Sequence, residues 1–518
     1  MMTAALPLLK QTRRSTTAFA RVVPAALTVL TSLSAGCALN PPPRSVSAEP
    51  PAQWFAPLSA IEPTGAATGS ALAHNGRLDD LADWWAQQGD PLLAELIADA
   101  QAVSPTVATA RSRIEEARAA QTAAGAARVP TLDGQANASR ARSQPSGPAA
   151  APIASVAQLG LQAAWEIDLF GRNRAGLDAA SERLAASGAL WHDARVSVAA
   201  EVASRYYSHA SCRELETITR ADATSRGETA RLTDLSAEAG FIAPATAALG
   251  RAGAAEASAR LTEQAARCEL DIKALVALSA RNEPELKQKI ATTQSVRAQA
   301  APISIATAMP VSARVPAQTL AQRPDVFSAA RDVAAASDAI GSAEAERYPR
   351  LTLSGSIGAA RGRSSGVSAG FDTWAIGPLA LTVPLLDGGR RAANVVAARA
   401  RYDAAAAGYR ASVRQAVREV EEALVNLQST ADRDADAQQA VQGYQASLLG
   451  TEALYKNGLA SLIDLEDGRR RLLTAQTTLA LLQQTRALAW VALYRALGGG
   501  WTPVLGSPAD DAQAASAR

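Results

Sequence analysis

The feature that most constrains this chain is an internal repeat. Pro105 and Pro130 stand 25 residues apart, as do Pro324 and Pro349, and the offset between the pairs is 324 − 105 = 219. The surroundings agree. SPTVATARSRIEEARAAQTAAGAARVPTLDG in the first half matches RPDVFSAARDVAAASDAIGSAEAERYPRLTLSG in the second, and DLFGRNRAGLDAA matches LLDGGRRAANVVAA. The late breaks LSAEAGFIAPAT near 240 and LYKNGLASLIDL near 458 also correspond. The chain therefore reads as two copies of one unit of roughly 200 residues.

Each unit has the same order. A helix of about 35 residues ends at a proline, Pro130 or Pro349, and the hydrophobic period then changes from 3.6 to 2. In the first copy Leu132, Gly134, Ala136 and Ala138 alternate with Asp133, Gln135, Asn137 and Ser139. Beyond the SQPSGPAAAP loop, Ala157, Leu159, Leu161, Ala163, Trp165, Ile167 and Leu169 alternate with mainly polar residues. The second copy alternates Leu351, Leu353, Gly355, Ile357 and Ala359, then Thr373, Ala375, Gly377, Leu379, Leu381, Val383 and Leu385. These patterns predict strands at about 131–143, 155–169, 350–361 and 371–385. Turns at Gly171 and at Gly388 and Gly389 then lead into long helical stretches, from about 175 to 238 returning from 245 to 295, and from about 392 to 457 returning from 461 to 497.

Four strands with one apolar and one polar face are a problem for a single chain, because an isolated sheet leaves two unpaired edges. If the apolar face meets lipid, the edges must close, and the smallest transmembrane barrels have about eight strands. Four strands per chain then imply several chains sharing one barrel, and three chains would give twelve strands. Trp165, Phe371 and Trp374 near strand ends would suit an interfacial aromatic girdle. A soluble sheet packed on helices is the alternative, and it would have to bury the Gln, Asn, Ser and Thr face. A helix of about 60 residues is a rod of ~90 Å, far longer than a globular core needs. Ala-rich seams favour close packing of such rods around a common lumen.

Composition agrees by exclusion. Lys plus Arg number 51 against 49 Asp plus Glu, a net charge of +2, which indicates no polyelectrolyte partner such as nucleic acid. Three His and three Cys are too few and too scattered for a metal cluster. Past the first 40 residues no apolar run reaches the ~18 residues that a spanning helix requires. His74, His192 and His209 lack ligand spacing, with the latter two reading as ordinary surface or interface residues of the long helix. DGGR and GGGW read as turns, Arg469–Arg471 as interhelix pairing charges, and no nucleophile with a base is evident. The chain reads as a non-enzyme with no cofactor beyond a covalent lipid.

The N-terminus is an address. Lys10, Arg13, Arg14 and Arg21 precede an apolar run and then Cys37, the pattern of a signal peptide. Ser34, Ala35 and Gly36 directly before Cys37 resemble a bacterial lipobox, although Ser34 stands where Leu is usual. Cys37 would then be acylated, and Ala38 after it implies outer-membrane delivery; an unlipidated signal peptide is the alternative. NPPPRSVSAEPPAQ reads as an extended tether. The division is thus signal peptide 1–36, lipidated N-terminus and tether 37–80, first repeat 81–298, second repeat 299–502 and disordered tail 503–518. Cys212 and Cys268 each lie 28 residues from Gly240, so two antiparallel helices turning there bring them to one height. They are either a disulfide or two small buried thiols.

The motifs LADWWAQQGDPLLAELIADA, WEIDLFGR, LAQRPDVFSAA, IGSAEAERYPRLTLSGSIG, LLDGGR, LYKNGLASLIDLEDGRRRLLTAQ and LYRALGGGW occur in that order over residues 50 to 502. Together they resemble the TolC/OprM-type outer membrane factors, in the lipoprotein branch called the NodT family. The resemblance implies an α+β membrane protein: a trimeric, twelve-stranded transmembrane β-barrel continuous with a long periplasmic α-helical barrel. It implies a passive efflux duct for drugs, solvents or metal ions, with a periplasmic adaptor protein and an inner-membrane pump of the resistance-nodulation-division class as partners. Protein secretion through the same duct and a non-conducting lipoprotein scaffold are the alternatives. It also places a periplasmic gate at the second long turn, where Tyr455, Gly458, Asp464 and Asp467 match the family's spacing. Asp464 and Asp467 share a helical face, and threefold symmetry would ring the opening with carboxylates. Ala460 and Thr246 stand where some members carry a linking Arg and Asp. Asp464 could instead simply cap its helix.

Overall fold

A computed structural model describes residues 41–51, 53–56, 85, 90–142, 153–299, 320, 323–364 and 366–501. The signal peptide, Cys37, His74, the loop at 143–152 and the tail lie outside these residues. Helices α1 (Pro91–Val103) and α2 (Pro105–Ala126) precede strands β1 (Thr131–Arg142) and β2 (Ile153–Ile167). Then come α3 (Arg172–Glu238), α4 (Pro244–Ser279), α5 (Glu283–Gln299) and α6 (Pro324–Ala345). Strands β3 (Arg350–Ser364) and β4 (Val367–Thr382) lead into α7 (Arg390–Lys456) and α8 (Leu462–Ala496).

Two expected helices are broken. The stretch before Pro130 divides at Ser104, which is extended at ψ 123° and accepts from the Val107 amide through its hydroxyl. Pro105 has no amide to donate and restricts the residue before it, so α1 stops there and α2 restarts. The return stretch from 245 likewise divides at Ala280, which is left-handed at φ 55°, and Pro284 sits in the first turn of α5.

The chain forms two compact units. The first takes its described residues from Met1–Arg44, Gln121–Ala180 and Ala335–Tyr402 and holds the sheet. The order is β1-β2-β3-β4, all neighbours antiparallel, so β1 and β4 each pair on one side only among the described residues. The register puts Ala136, Leu159, Ala359 and Asp372 in one row and Leu161, Ile357 and Trp374 in the next. That face carries the apolar side chains, and they are bare: Leu159 is 68% exposed and Trp374 75%.

Two expectations for β4 fail, one because of a bulge and one because the strand begins at Val367. Gly355 pairs with Ile376 but Leu353 pairs with Leu379, so β4 holds one extra residue at Gly377–Pro378. Because side chains alternate with period 2, this bulge reverses parity. Trp374 and Ile376 therefore share a face with Leu379 and Leu381, while Thr373 and Ala375 lie on the polar side. Phe371 falls on that polar side too, and Trp374 sits mid-strand opposite Ile357, so neither belongs to a girdle at the strand ends. Trp165 does stand near the end of β2, and its ring nitrogen donates to the Arg128 carbonyl at 3.0 Å.

The second unit takes its described residues from Ser45–Ala120, Ser181–Ala334 and Asp403–Arg518. Its core gathers Trp85, Leu93 and Leu96 against Val196, Val202, Leu275, Leu286, Leu424, Leu427, Leu493 and Tyr494. Trp85 meets Tyr494 edge-on at 4.8 Å between centroids, and burial pushes the Tyr494 phenol pKa upward. Much of the rest is Ala, among them Ala199, Ala203, Ala416 and Ala423, which lets helix backbones approach closely. The expected tether is partly docked: the Phe55 and Ala56 amides donate to Glu421 at 2.7 Å each, and Arg410 Nε donates to the Ser47 carbonyl at 3.2 Å.

Candidate functional site

The polar face of the sheet is built by the residues that alternate with the apolar ones. Gln135, Asn137, Gln158, Gln162, Ser356 and Thr373 line a hollow of about 390 Å³, and the Gln135 amide donates to Gln162 at 2.7 Å. Backbones approach closely here: a side chain at Gly358 would put Cβ 2.8 Å from the Leu159 carbonyl oxygen, and one at Gly160 would meet that of Ile357 at 3.0 Å. The sheet thus has a wettable side and an oily side, and the oily side is bare, whereas a soluble sheet would have it covered by helices.

Four turns join sheet to helices or helix to helix, and each uses a left-handed glycine. Gly171 (φ 74°) follows β2, where Asp168 accepts from the Arg174 amide at 2.8 Å. Gly388 (φ 64°) and Gly389 (φ 87°) follow β4, where Asp387 accepts from the Gly389 and Arg391 amides. Pro130 and Pro349 stand immediately before β1 and β3. At the helix turns, Gly240 (φ 78°) lets the Phe241 amide reach back to Ser236, and Gly458 (φ 76°) lets Leu459 reach Leu454. These are Schellman caps, in which only glycine takes the left-handed position freely.

Around the second turn, the predicted residues are close in sequence but differently engaged. Ser461 and Asp464 form a capping box: the Asp464 amide donates to the Ser461 hydroxyl at 3.2 Å, and Asp464 accepts from the Ser461 amide at 2.9 Å. The Ser461 hydroxyl also donates to that carboxylate at 2.6 Å, and this bond, with the one from the Ser461 amide, holds the Asp464 carboxyl below its ordinary pKa. Asp467 pairs with Arg470 and Arg471 on its own helix. Tyr455 is half-buried in the last turn of α7, and Gly458 is exposed. Of the Arg469–Arg471 run expected to pair between helices, only Arg469 does so: it donates to the Thr229 hydroxyl at 2.5 Å and lies 3.8 Å from Glu452.

The link between the two hairpins was not legible in the sequence. Arg226 of α3 pairs with Glu466 of α8 and donates to Asp222 at 3.0 Å, while Arg260 of α4 reaches the same Asp222 at 3.4 Å. The Arg226 and Asp222 side chains are 9% and 7% exposed. Gly253 leaves the room: a Cβ there would lie 3.4 Å from Arg226 Nη1 and 3.7 Å from Glu466. Another groove of about 770 Å³ runs between α3, α7 and α8, lined by Glu201, Arg205, Glu419, Glu422, Asn426 and Arg495.

Cys212 and Cys268 form a disulfide with Cα atoms 5.5 Å apart. His209, expected at a surface or interface, is buried, with Nδ1 3.3 Å from the Cys268 carbonyl oxygen, and burial lowers its pKa. Among the described residues no group of His, Cys, Asp and Glu is arranged to hold a metal ion. No described helix is long and apolar enough to cross a membrane.

Known proteins fit this geometry. The pattern of the outer membrane efflux protein family matches residues 96–281 and 315–499. The chain is similar to the solvent efflux pump outer membrane protein SrpC of Pseudomonas putida, 30% identical over 473 residues, covering 90% of this chain and 96% of that one. Nodulation protein T of Rhizobium leguminosarum bv. viciae is 29% identical, covering 84% of this chain and 88% of the relative. Among solved structures, the outer-membrane channel OprN superposes with a TM-score of 0.74 at 26% identity, over 90% of this chain and all of that one. The chain belongs to the outer membrane efflux protein family. It is an efflux component of the Gram-negative outer membrane that extends to the periplasm, in a family of channels rather than enzymes that work with adaptor and inner-membrane pump partners.

Proposed function

With that family membership as premise, we propose that three copies of this chain build a passive exit duct for small molecules, gated at its periplasmic end. The observation that carries this is the four-stranded sheet with one-sided edge strands, an exposed apolar face and a polar hollow behind it. Hydrocarbon cannot satisfy bare edge amides, so the edges must close on other copies, and three copies supply twelve strands. The apolar face then meets lipid and the Gln, Asn, Ser and Thr face lines the lumen. Acylated Cys37 anchors the N-terminus, and the pump is of the resistance-nodulation-division class. The Tyr455, Gly458, Asp464 and Asp467 region forms the gate, with Arg226–Glu466 taking the place of the links missing at Ala460 and Thr246. Cargo is of the organic drug or solvent class, in keeping with the similarity to a solvent efflux protein.

The test is the native mass of the protein extracted from purified outer membranes in mild detergent. A particle of three chains is expected. A monomer that leaves the membrane when its acyl group is removed would overturn the duct.

A further inference from the structure

The apolar face of the sheet changes character at the end remote from the helices. Arg140 pairs with Ser155, Ser155 with Arg363, and Arg363 with Ser368, so one row across all four strands reads Arg, Ser, Arg, Ser. Arg361, opposite Ala157 and Gly370, stands two positions nearer the apolar band on the same face, and Arg142 continues that face beyond Arg140. Adjacent strands are ~4.8 Å apart and residues rise ~3.3 Å each, so Arg140, Arg361 and Arg363 originate within ~12 Å of one another. These three, with Ser155 and Ser368, line a depression of about 590 Å³.

Among the described residues no carboxylate pairs with these three arginines. The sequence carries no Asp or Glu from 134 to 165 or from 347 to 371. Among the described residues Arg140, Arg361 and Arg363 form no ion pair; Asp372, opposite Ala359 on the same face, pairs with none of them. Two arginines at the helix end of the sheet differ, since Arg172 meets Glu166 at 3.4 Å and Glu346 at 3.8 Å, and Arg391 meets Asp387 at 2.8 Å.

Height decides the ligand. Ten residues separate Leu351 from Arg361. That is ~33 Å along a strand and ~25 Å along the membrane normal at the usual tilt, which is the thickness of the apolar band of a transmembrane barrel. The arginines thus meet the outer headgroup layer, directly above Leu159 and Ile357, which face the acyl chains. We infer that Arg140, Arg361 and Arg363 bind the phosphates of a phosphorylated, acylated glycolipid of the outer leaflet. Guanidinium forks match phosphate oxygens two by two, and the Ser155 and Ser368 hydroxyls add donors between them. Free phosphate would satisfy the arginines but leave the adjoining apolar surface unused. The inference rests on the barrel reading above.

The test uses the full-length protein in detergent, followed by native mass spectrometry after addition of diphosphoryl lipid A. The wild type is expected to retain the lipid, and the triple variant Arg140→Gln/Arg361→Gln/Arg363→Gln to retain about tenfold less at unchanged subunit number. A wild-type measurement with the enzymatically dephosphorylated lipid guards against a misfolded variant, and the same drop is expected. Equal retention of the dephosphorylated lipid, equal retention by the variant, or displacement by inorganic phosphate at equal concentration would overturn the site. Failure of the wild type to form a trimer would overturn the barrel instead, together with this site.

Discussion

The two helical hairpins are built alike, with helices of 67 and 36 residues in one and 67 and 35 in the other, but they are held differently. Both turn on a left-handed glycine in a Schellman cap, Gly240 in α3–α4 and Gly458 in α7–α8. The first has a covalent staple, Cys212–Cys268, 28 residues from its turn on either side. At that height the second has Thr430 and Arg486, and Thr430 only donates to the Leu427 carbonyl within its own helix. Past the turn, α4 starts on Pro244 without a side-chain cap, whereas α8 starts on the Ser461–Asp464 capping box. A stapled hairpin beside an unstapled one, joined by a charged link, is suited to one fixed arm and one that moves. The difference teaches that two hairpins of like length and order can be held unequally by a few side chains, and in the proposed duct this would separate scaffold from gate.

Removing the staple should have the largest effect. A disulfide closing a loop of 56 residues restrains the unfolded chain by about 4 kcal/mol, so Cys212→Ser with Cys268→Ser should lower the opening free energy of α3–α4 by about that much in hydrogen exchange. Protection of α7–α8 should hardly change; an equal loss in both would end the fixed-arm reading. Next comes Arg226→Gln, which removes one of the two arginines held by each of Asp222 and Glu466, with Arg260 and Arg469 remaining, and should cost about 2 kcal/mol. Single-channel recording should then show more leak at the periplasmic end, and records equal to wild type would show that the link does not hold the gate. Ser461→Ala should cost about 1 kcal/mol by removing the cap, with the loss confined to the first turns of α8.

A pH difference between the hairpins should be the smallest effect. Burial lowers the His209 pKa, so the unfolded chain takes up a proton more readily than the native one. Its contribution to stability is complete above the unfolded value of about 6.5 and is lost as pH falls below it. Asp271, whose carboxyl burial raises, acts in the opposite sense but around its lower range, and Arg213 and Glu269 also face the ring. Protection near Cys268 should fall between pH 7.5 and 5.5, and His209→Gln should abolish that dependence while α7–α8 shows none.

The period-2 strands and the position of each turn were legible, because they rest on local chemistry. Alternation shows in any window, glycine marks left-handed positions, and Pro130 and Pro349 mark where helix gives way to strand, whereas the helix starts at Pro105 and beside Pro284 were missed. Even so, the reading of β4 missed a single inserted residue at Gly377–Pro378, and with it the true sides of Phe371 and Trp374. Parity depends on the partner strand, which the sequence of β4 does not contain. The Arg226–Glu466 link was hidden for a related reason. The two residues lie 240 positions apart, and nothing local distinguishes them from the many exposed i,i+3 and i,i+4 pairs on the same helices.

The sequence by itself determined which elements form and where they stop, since propensity, capping and periodicity act within a few residues. It also placed Cys212 and Cys268 at one height, because two antiparallel helices share a rise per residue. Only the tertiary structure decided which side chains meet across elements. It set the face reversal in β4, the charged link between hairpins, the docking of Ser47, Phe55 and Ala56 on α7 and the row of arginines across the sheet. Each of these depends on register and on packing between distant segments, and a one-residue shift in either would change the partners.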